Sequence, residues 1–455
     1  MARVLLIGAG PLPQHDPGRL GFPELRTAQL LKAMLRAGHS VQVVLLGEED
    51  RPPETEAIEG SSASCVVEGV EINAPGWLAR VQAAREAWRP DVVVSAGPYE
   101  PARAAALTIG EEPLWLDVPG DPFAEAQAKR ARGEDAEATA TMRLAYAAGY
   151  ARADAFGVIS HAQRFALLGQ LGLLGRLAST PERSPEVQVV PAAMDFGGLP
   201  RGTPRRWEAE GALTLAVSGG FNTWFDGETL LAGVLLAMEE LPELRLITTG
   251  GPIPGHHEAT WDTFAAGALA SPYADRFELS GWVPHSELPR RLSGAHVGVC
   301  LDRPGLEPEL GTRTRLLFYA WLGMPILATA RCELARELAG VRLLQTVEPG
   351  SPESLAAGIE HLWREGEEGA ASGRLQGYLG ARATVEQTAA PLLRWLRAPR
   401  RAEPCEDPGV VMAQRLARAE DELAAVVRSP TWRLLSSADR LTRGLPRQLW
   451  GRFKG

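Results

Sequence analysis

Arg313 and Arg315 stand two residues apart in the stretch GTRTRLLFYAWLGMP at 311–325. An apolar run follows them, and Gly323 and Pro325 close it in the manner of a helix end. Both guanidinium groups therefore fall in the first helical turn, where the macrodipole already places partial positive charge. A ligand anion removes that conflict, and arginine's planar donor fork suits a phosphate. A plainer reading pairs Glu307 and Glu309, just upstream in GLEPEL, with these arginines. Surface pairs of that kind contribute only about 0–1 kcal/mol. Both readings hold together if one arginine orients and the other binds.

Three further stretches carry polar chemistry at strand ends. SGGFNTWFDGETLL at 218–231 ends a strand in Gly219 and Gly220 and starts a helix near Asp226. Glycines let a backbone approach a phosphate, and the turn supplies N–H donors. TTGG at 248–251 repeats the arrangement after the next strand, and Trp224 and Phe225 offer rings to a sugar or a base, or simply cap the sheet edge. FELSGWVPHSEL at 277–288 brings the carbonyl and amide of Trp282–Val283 within reach of a base edge. There His285 reads first as a loop histidine, and Ser286 as a helix cap. GAGPLP at 8–13 resembles half of a dinucleotide fingerprint, but Pro13 stands where the third glycine belongs and the next helix begins only near Glu24. Its expected role is a loop facing a cleft, with Gly18, Gly21 and Arg26 near a substrate.

These stretches need a frame that brings them together, and the chain alternates the elements to build one. RVLLIGAG, VQVVLLG, DVVVSAG, PLWLDVPG, AFGVIS and VQVVP are short apolar runs separated by helical periodicity. The same alternation restarts after the Gly/Pro/charge-rich segment 197–211 with LTLAVSGG, LRLITTGG, FELSGWV, HVGVCLD, PILAT and VRLLQTV. Continuous apolar strands alternating with helices predict α/β architecture with parallel sheets covered on both faces. The fold class expected is thus two Rossmann-like lobes facing a cleft, over residues 1–196 and 197–397, plus a linker and helical basic tail over 398–455. Ligands of such sheets bind beyond the carboxyl ends of the strands.

The rest of the sequence narrows the class. No apolar run reaches the ~18 residues of a membrane span. MARVLLIGAG reads as a first strand rather than a leader. Cys65, Cys300, Cys332 and Cys405 show neither metal-ligand nor disulfide spacing, so the expected compartment is the cytoplasm and no metal site is expected. A net charge of −9 argues against general nucleic-acid binding. Within 429–455, Leu434, Ala438, Leu441, Leu445 and Leu449 recur at helical spacing among arginines. That pattern suits either an anionic membrane surface or a packed partner face, and Gly444 and Pro446 interrupt it.

SGGFNTWFDGETLLAG and RTRLLFYAWLGMP, with DVPGDPFAEAQA and ISHAQRFALLGQLGLLGR between the lobes' motifs, resemble glycosyltransferases of the GT-B fold, family 4-like, over roughly 1–395. The SPTWRLL tail resembles segments ending some cell-surface polysaccharide enzymes. The resemblance implies a nucleotide-sugar donor held by the second lobe, a glycan or lipid-linked acceptor held by the first, and retaining transfer with neither a catalytic metal nor a further cofactor. It places Gly219, Gly220, Asn222 and Trp224 around the donor, with Val283 at the base. Arg313 and Arg315, with Thr314 between them, would meet the diphosphate, and Asp117 and Asp121 would face the acceptor. Two departures stand out. The subset has an acid that contacts the ribose where this chain has Phe318, leaving Glu309 as the substitute. The usual Arg-and-Lys pair after the second-lobe glycines is missing. Two rival readings follow: a non-catalytic nucleotide-binding scaffold on the same fold, and an NAD-dependent oxidoreductase built on GAGPLP.

Overall fold

The computed structural model describes residues 1–403 apart from 48, 73, 98, 134–145, 147 and 148. The amphipathic tail at 429–455 lies outside the described residues, as does Cys405.

The first lobe is built on an eight-stranded sheet of order β3-β4-β2-β1-β5-β6-β7-β8. Its strands are β1 Arg3–Ala9, β2 Ser40–Gly47, β3 Arg51–Ala57, β4 Ser64–Glu71, β5 Val92–Ala96, β6 Leu114–Val118, β7 Ala155–Val158 and β8 Glu186–Val189. All neighbours pair in parallel except β3, which runs antiparallel to β4 at the edge. The apolar runs bury both faces. In β1, Val4 and Leu6 join one core cluster while Leu5 and Ile7 join the opposite one, as the two-residue strand period requires.

The second lobe repeats the plan with a six-stranded, wholly parallel sheet of order β11-β10-β9-β12-β13-β14. These strands are β9 Leu213–Ser218, β10 Leu244–Thr249, β11 Phe277–Leu279, β12 Val297–Cys300, β13 Ile326–Ala328 and β14 Gln345–Thr346. In both sheets the order reverses beside the first strand of the lobe. There the loops leaving the strand ends diverge to opposite faces and open a crevice.

Two features depart from the sequence reading. The β3–β4 hairpin was not expected, because RPPETEA is polar along its whole length and carries no alternation. The lobe boundary also moves. Val385, Ala389, Leu392, Trp395 and Leu396 pack into the first lobe's core with Val4 and Leu6, and the Trp395 ring lies 5.5 Å from that of Trp115. The segment expected to be a hinge from 398 is docked there too: Ala402 N donates to Asp154 Oδ1 at 2.9 Å, and Arg400 Nε to Glu186 at 2.8 Å. The compact unit accordingly runs from Met1 to Glu403.

Candidate active site

The helix Thr314–Trp321 ends as its sequence demands. Gly323 takes φ +75°, where the N–H of Gly323 bonds the Ala320 carbonyl and that of Met324 bonds the Tyr319 carbonyl. Tyr319 fixes the helix to the sheet. Its hydroxyl accepts from Ser218 N and donates to Val299 O, both at 3.0 Å, linking β9 and β12. The first turn is thereby held over the carboxyl end of β9. Gly219 follows that strand at φ +88°, a left-handed conformation that favours glycine, and its N–H bonds the Thr249 carbonyl at 2.8 Å.

A cavity of about 380 Å³ opens here between the lobes. Gly219, Gly220, Asn222, Trp224, Val283, Arg313, Thr314, Arg315, Phe318 and Asp121 all line it, so most of the residues singled out in the sequence converge. The two arginines do different work. Arg313 is 7% exposed and spent within the protein: Nε reaches both Asp302 oxygens at 2.8 Å, and Nη2 reaches Glu307 at 2.6 Å. Those carboxylates keep its guanidinium firmly charged against the opposing effect of burial. Burial pushes Glu307 up to about 7, with Arg313 opposing the rise. Arg315 has no carboxylate partner among the described residues. Its Nη2 donates to the Gly220 carbonyl at 2.8 Å, its guanidinium carbon lies 4.9 Å from the Phe225 ring, and its buried Nη1 has no hydrogen-bond partner. Asn222 Oδ1, in the loop opposite, is likewise buried and unpaired. A buried donor and a buried acceptor left open beside a glycine turn are suited to a polar ligand.

Rings complete the second-lobe wall. Trp224 lies 5.8 Å from the Arg313 guanidinium and edge-on to His256 at 5.1 Å. Burial lowers His256 to about 4, so it is neutral at physiological pH. Trp282 donates to the Pro252 carbonyl at 2.9 Å, and Arg19 reaches over from the first lobe to within 5.7 Å of its ring. His285 is the loop histidine its context suggested, donating Nε2 to the Phe196 carbonyl at 2.8 Å. Ser286 does not act as a cap. Its N and Oγ both donate to Asp16 of the first lobe at 2.9 Å.

Three expected site residues are placed otherwise. Asp117 does not face the cleft. It is 0% exposed, and Arg26 binds both its oxygens at 2.7 and 2.8 Å while also donating to the carbonyls of Val190 and Pro191. Arg26 is thus removed from any substrate as well. Glu309 points away, pairing with Arg331 at a side-chain exposure of 46%, and does not line the cavity. Asp121 does line it, but as a helix cap: Oδ1 accepts from Phe123 N and Ala124 N, and Oδ2 from Gln170 at 2.7 Å. The sequence reading missed Glu24, Tyr99 and Glu125 on the first-lobe wall. Glu125 had a signal, since it follows Asp121 by one helical turn and shares its face. The Arg26–Asp117 pair yields a prediction: Asp117→Ala strands a buried guanidinium and will lower unfolding free energy by about 3–5 kcal/mol in urea titrations. A loss below about 1 kcal/mol would contradict the burial assigned to it.

GAGPLP forms no phosphate-binding strand–helix turn. β1 ends at Ala9, and the helix that follows on the same face begins only at Phe22. That geometry removes the basis of the oxidoreductase reading.

Comparison with known proteins agrees with this layout. Residues 23–181 match the family described as the glycosyl transferase 4-like domain. No curated protein matches the sequence. Among solved structures, sucrose-phosphate synthase from Thermosynechococcus elongatus superposes with a TM-score of 0.64 at 16% identity, over 87% of this chain and 98% of that one. HepE of Anabaena in complex with UDP-glucose gives 0.57 at 14% identity, over 88% and 100%. An E. coli trehalose-6-phosphate structure bound with UDP-2-fluoro glucose gives 0.58 at 13%, over 88% and 100%. The chain therefore has the GT-B fold of the glycosyltransferases, with a glycosyl transferase 4-like domain across residues 23–181.

Proposed function

We propose that the protein transfers a sugar from a nucleotide-sugar donor to a glycan or lipid-linked acceptor, with retention at the anomeric carbon and without a catalytic metal. The observation that carries this is Arg315: a guanidinium with no carboxylate, its buried Nη1 open, beside the Gly219–Gly220 turn. When the anomeric C–O bond breaks, negative charge grows on the departing diphosphate. A fixed cation and backbone donors at that point stabilise the transition state more than the ground state. The base would rest against the Trp282–Val283 loop, and the acceptor against the first-lobe wall of Glu24, Tyr99 and Glu125. HepE and the trehalose-6-phosphate structure, with their UDP-sugars, support a donor of this class. We place the protein in the cytoplasm, in polysaccharide assembly, with the tail at 429–455 bringing it to the inner membrane face. Among the described residues no helix is long and apolar enough to cross a membrane.

The test is a thermal-shift and calorimetric screen of nucleoside diphosphates and their sugars. A ligand at 100 times its Kd adds about 2.7 kcal/mol to stability and raises the melting temperature. If none of them does so, the reading fails. Phe318, a hydrocarbon in the cleft wall, favours the second reading of a nucleotide-binding scaffold without turnover. Donor hydrolysis above background eliminates that alternative.

A further inference from the structure

The wall between the diphosphate turn and the base loop is made of carbon. Phe318 follows Arg315 by three residues on the same helix face, lines the cleft, and is 6% exposed. Its ring stands edge-on to Phe196 at 5.0 Å, and Leu288 and Leu25 pack against the same cluster. Leu288 in turn closes the loop that carries Trp282 and Val283. A pentose joining a diphosphate at Arg315 to a base at Val283 must therefore pass along Phe318, Phe196 and Leu288. The polar groups nearest this path are already engaged. Glu307 is bound to Arg313, Glu309 to Arg331, and His285 Nε2 to the Phe196 carbonyl.

A hydroxyl pressed against such a wall loses its water without gaining a partner, and that desolvation is unfavourable. A methylene in the same place gains contact instead. We propose that the donor is the diphospho-sugar of a 2′-deoxyribonucleoside, selected because Phe318 faces the 2′ position. This rests on the donor-site reading above and specifies its substrate class.

The experiment titrates the full chain calorimetrically with paired ribo- and 2′-deoxyribonucleoside diphosphates of each base. Keeping the base constant within a pair isolates the 2′ group. For the base that binds, the deoxy member is expected to be tighter by about fivefold or more, the equivalent of one unmatched hydroxyl. Phe318→Leu, which keeps the wall apolar, should preserve that order. Phe318→Glu, with folding checked by circular dichroism, should reverse it. A ribonucleotide bound as tightly as its deoxy partner overturns the proposal while leaving the donor site standing. A deoxy preference that survives Phe318→Glu overturns the assignment to this wall. If no nucleoside diphosphate of either kind binds, the donor-site reading falls and this one with it.

Discussion

Arg315→Ala will lower kcat/KM for the nucleotide-sugar donor by about 10²–10³, the loss seen when one preorganised charge-stabilising donor is removed. The melting temperature will barely move. The reason lies in what Arg315 touches: one protein acceptor, the Gly220 carbonyl at 2.8 Å, and the face of Phe225. Losing a single hydrogen bond of that kind costs about 1 kcal/mol. The guanidinium is therefore not needed to hold the fold, yet its Nη1 is buried with nothing to bind. Arg315→Lys will recover only part of the activity, because an ammonium supplies a point charge without the two-pronged donor geometry. Steady-state kinetics with thermal melts on the same preparations check both halves. If Arg315→Ala turns over donor at the wild-type rate, leaving-group stabilisation must be assigned elsewhere.

The two arginines of the opening stretch also show how far sequence can reach. Their shared position in the first turn was legible from spacing, and so was the helix end at Gly323, because both depend on neighbours in the chain. Their different roles were not. Arg313 is claimed by Asp302, eleven residues upstream on the far side of a loop, and by Glu307. The local reading offered Glu307 and Glu309 as the pair, and only Glu307 is used; Glu309 turns to Arg331. Asp117 shows the same limit over a longer span. It ends an apolar strand pointing at the cleft side, which sequence shows, but its partner Arg26 lies 91 residues away and only the register of β1, β5 and β6 brings them together. The sheets themselves were legible because buried parallel strands announce themselves as apolar runs. The β3–β4 edge and the return of residues 385–396 to the first lobe carry no comparable local pattern.

Arg313→Ala will do the reverse of its neighbour, destabilising the fold far more than it weakens donor contact. It leaves Asp302 and Glu307, 2% and 8% exposed, as two buried carboxylates without their cation. Stranding one partner of a buried pair costs about 3–5 kcal/mol. The deficit will depend on pH in a definite direction. Glu307 already rises from 4.5 to about 7 by burial, with Arg313 pulling it down. Without Arg313 that restraint is gone and the carboxyl rises further. A carboxyl whose folded pKa exceeds its unfolded value holds a proton in the folded state that the unfolded chain releases. Its contribution is then intact below about 4.5 and is lost as pH climbs through the folded pKa. Urea unfolding will therefore show Arg313→Ala closest to wild type near pH 5 and furthest from it near pH 8. The double variant Arg313→Ala/Glu307→Gln, which removes the titrating charge with its partner, will regain part of the loss at pH 8. An Arg313→Ala deficit that stays the same from pH 5 to pH 8 would mean that the carboxylates find water or another cation, and that this arginine is as free for the ligand as Arg315.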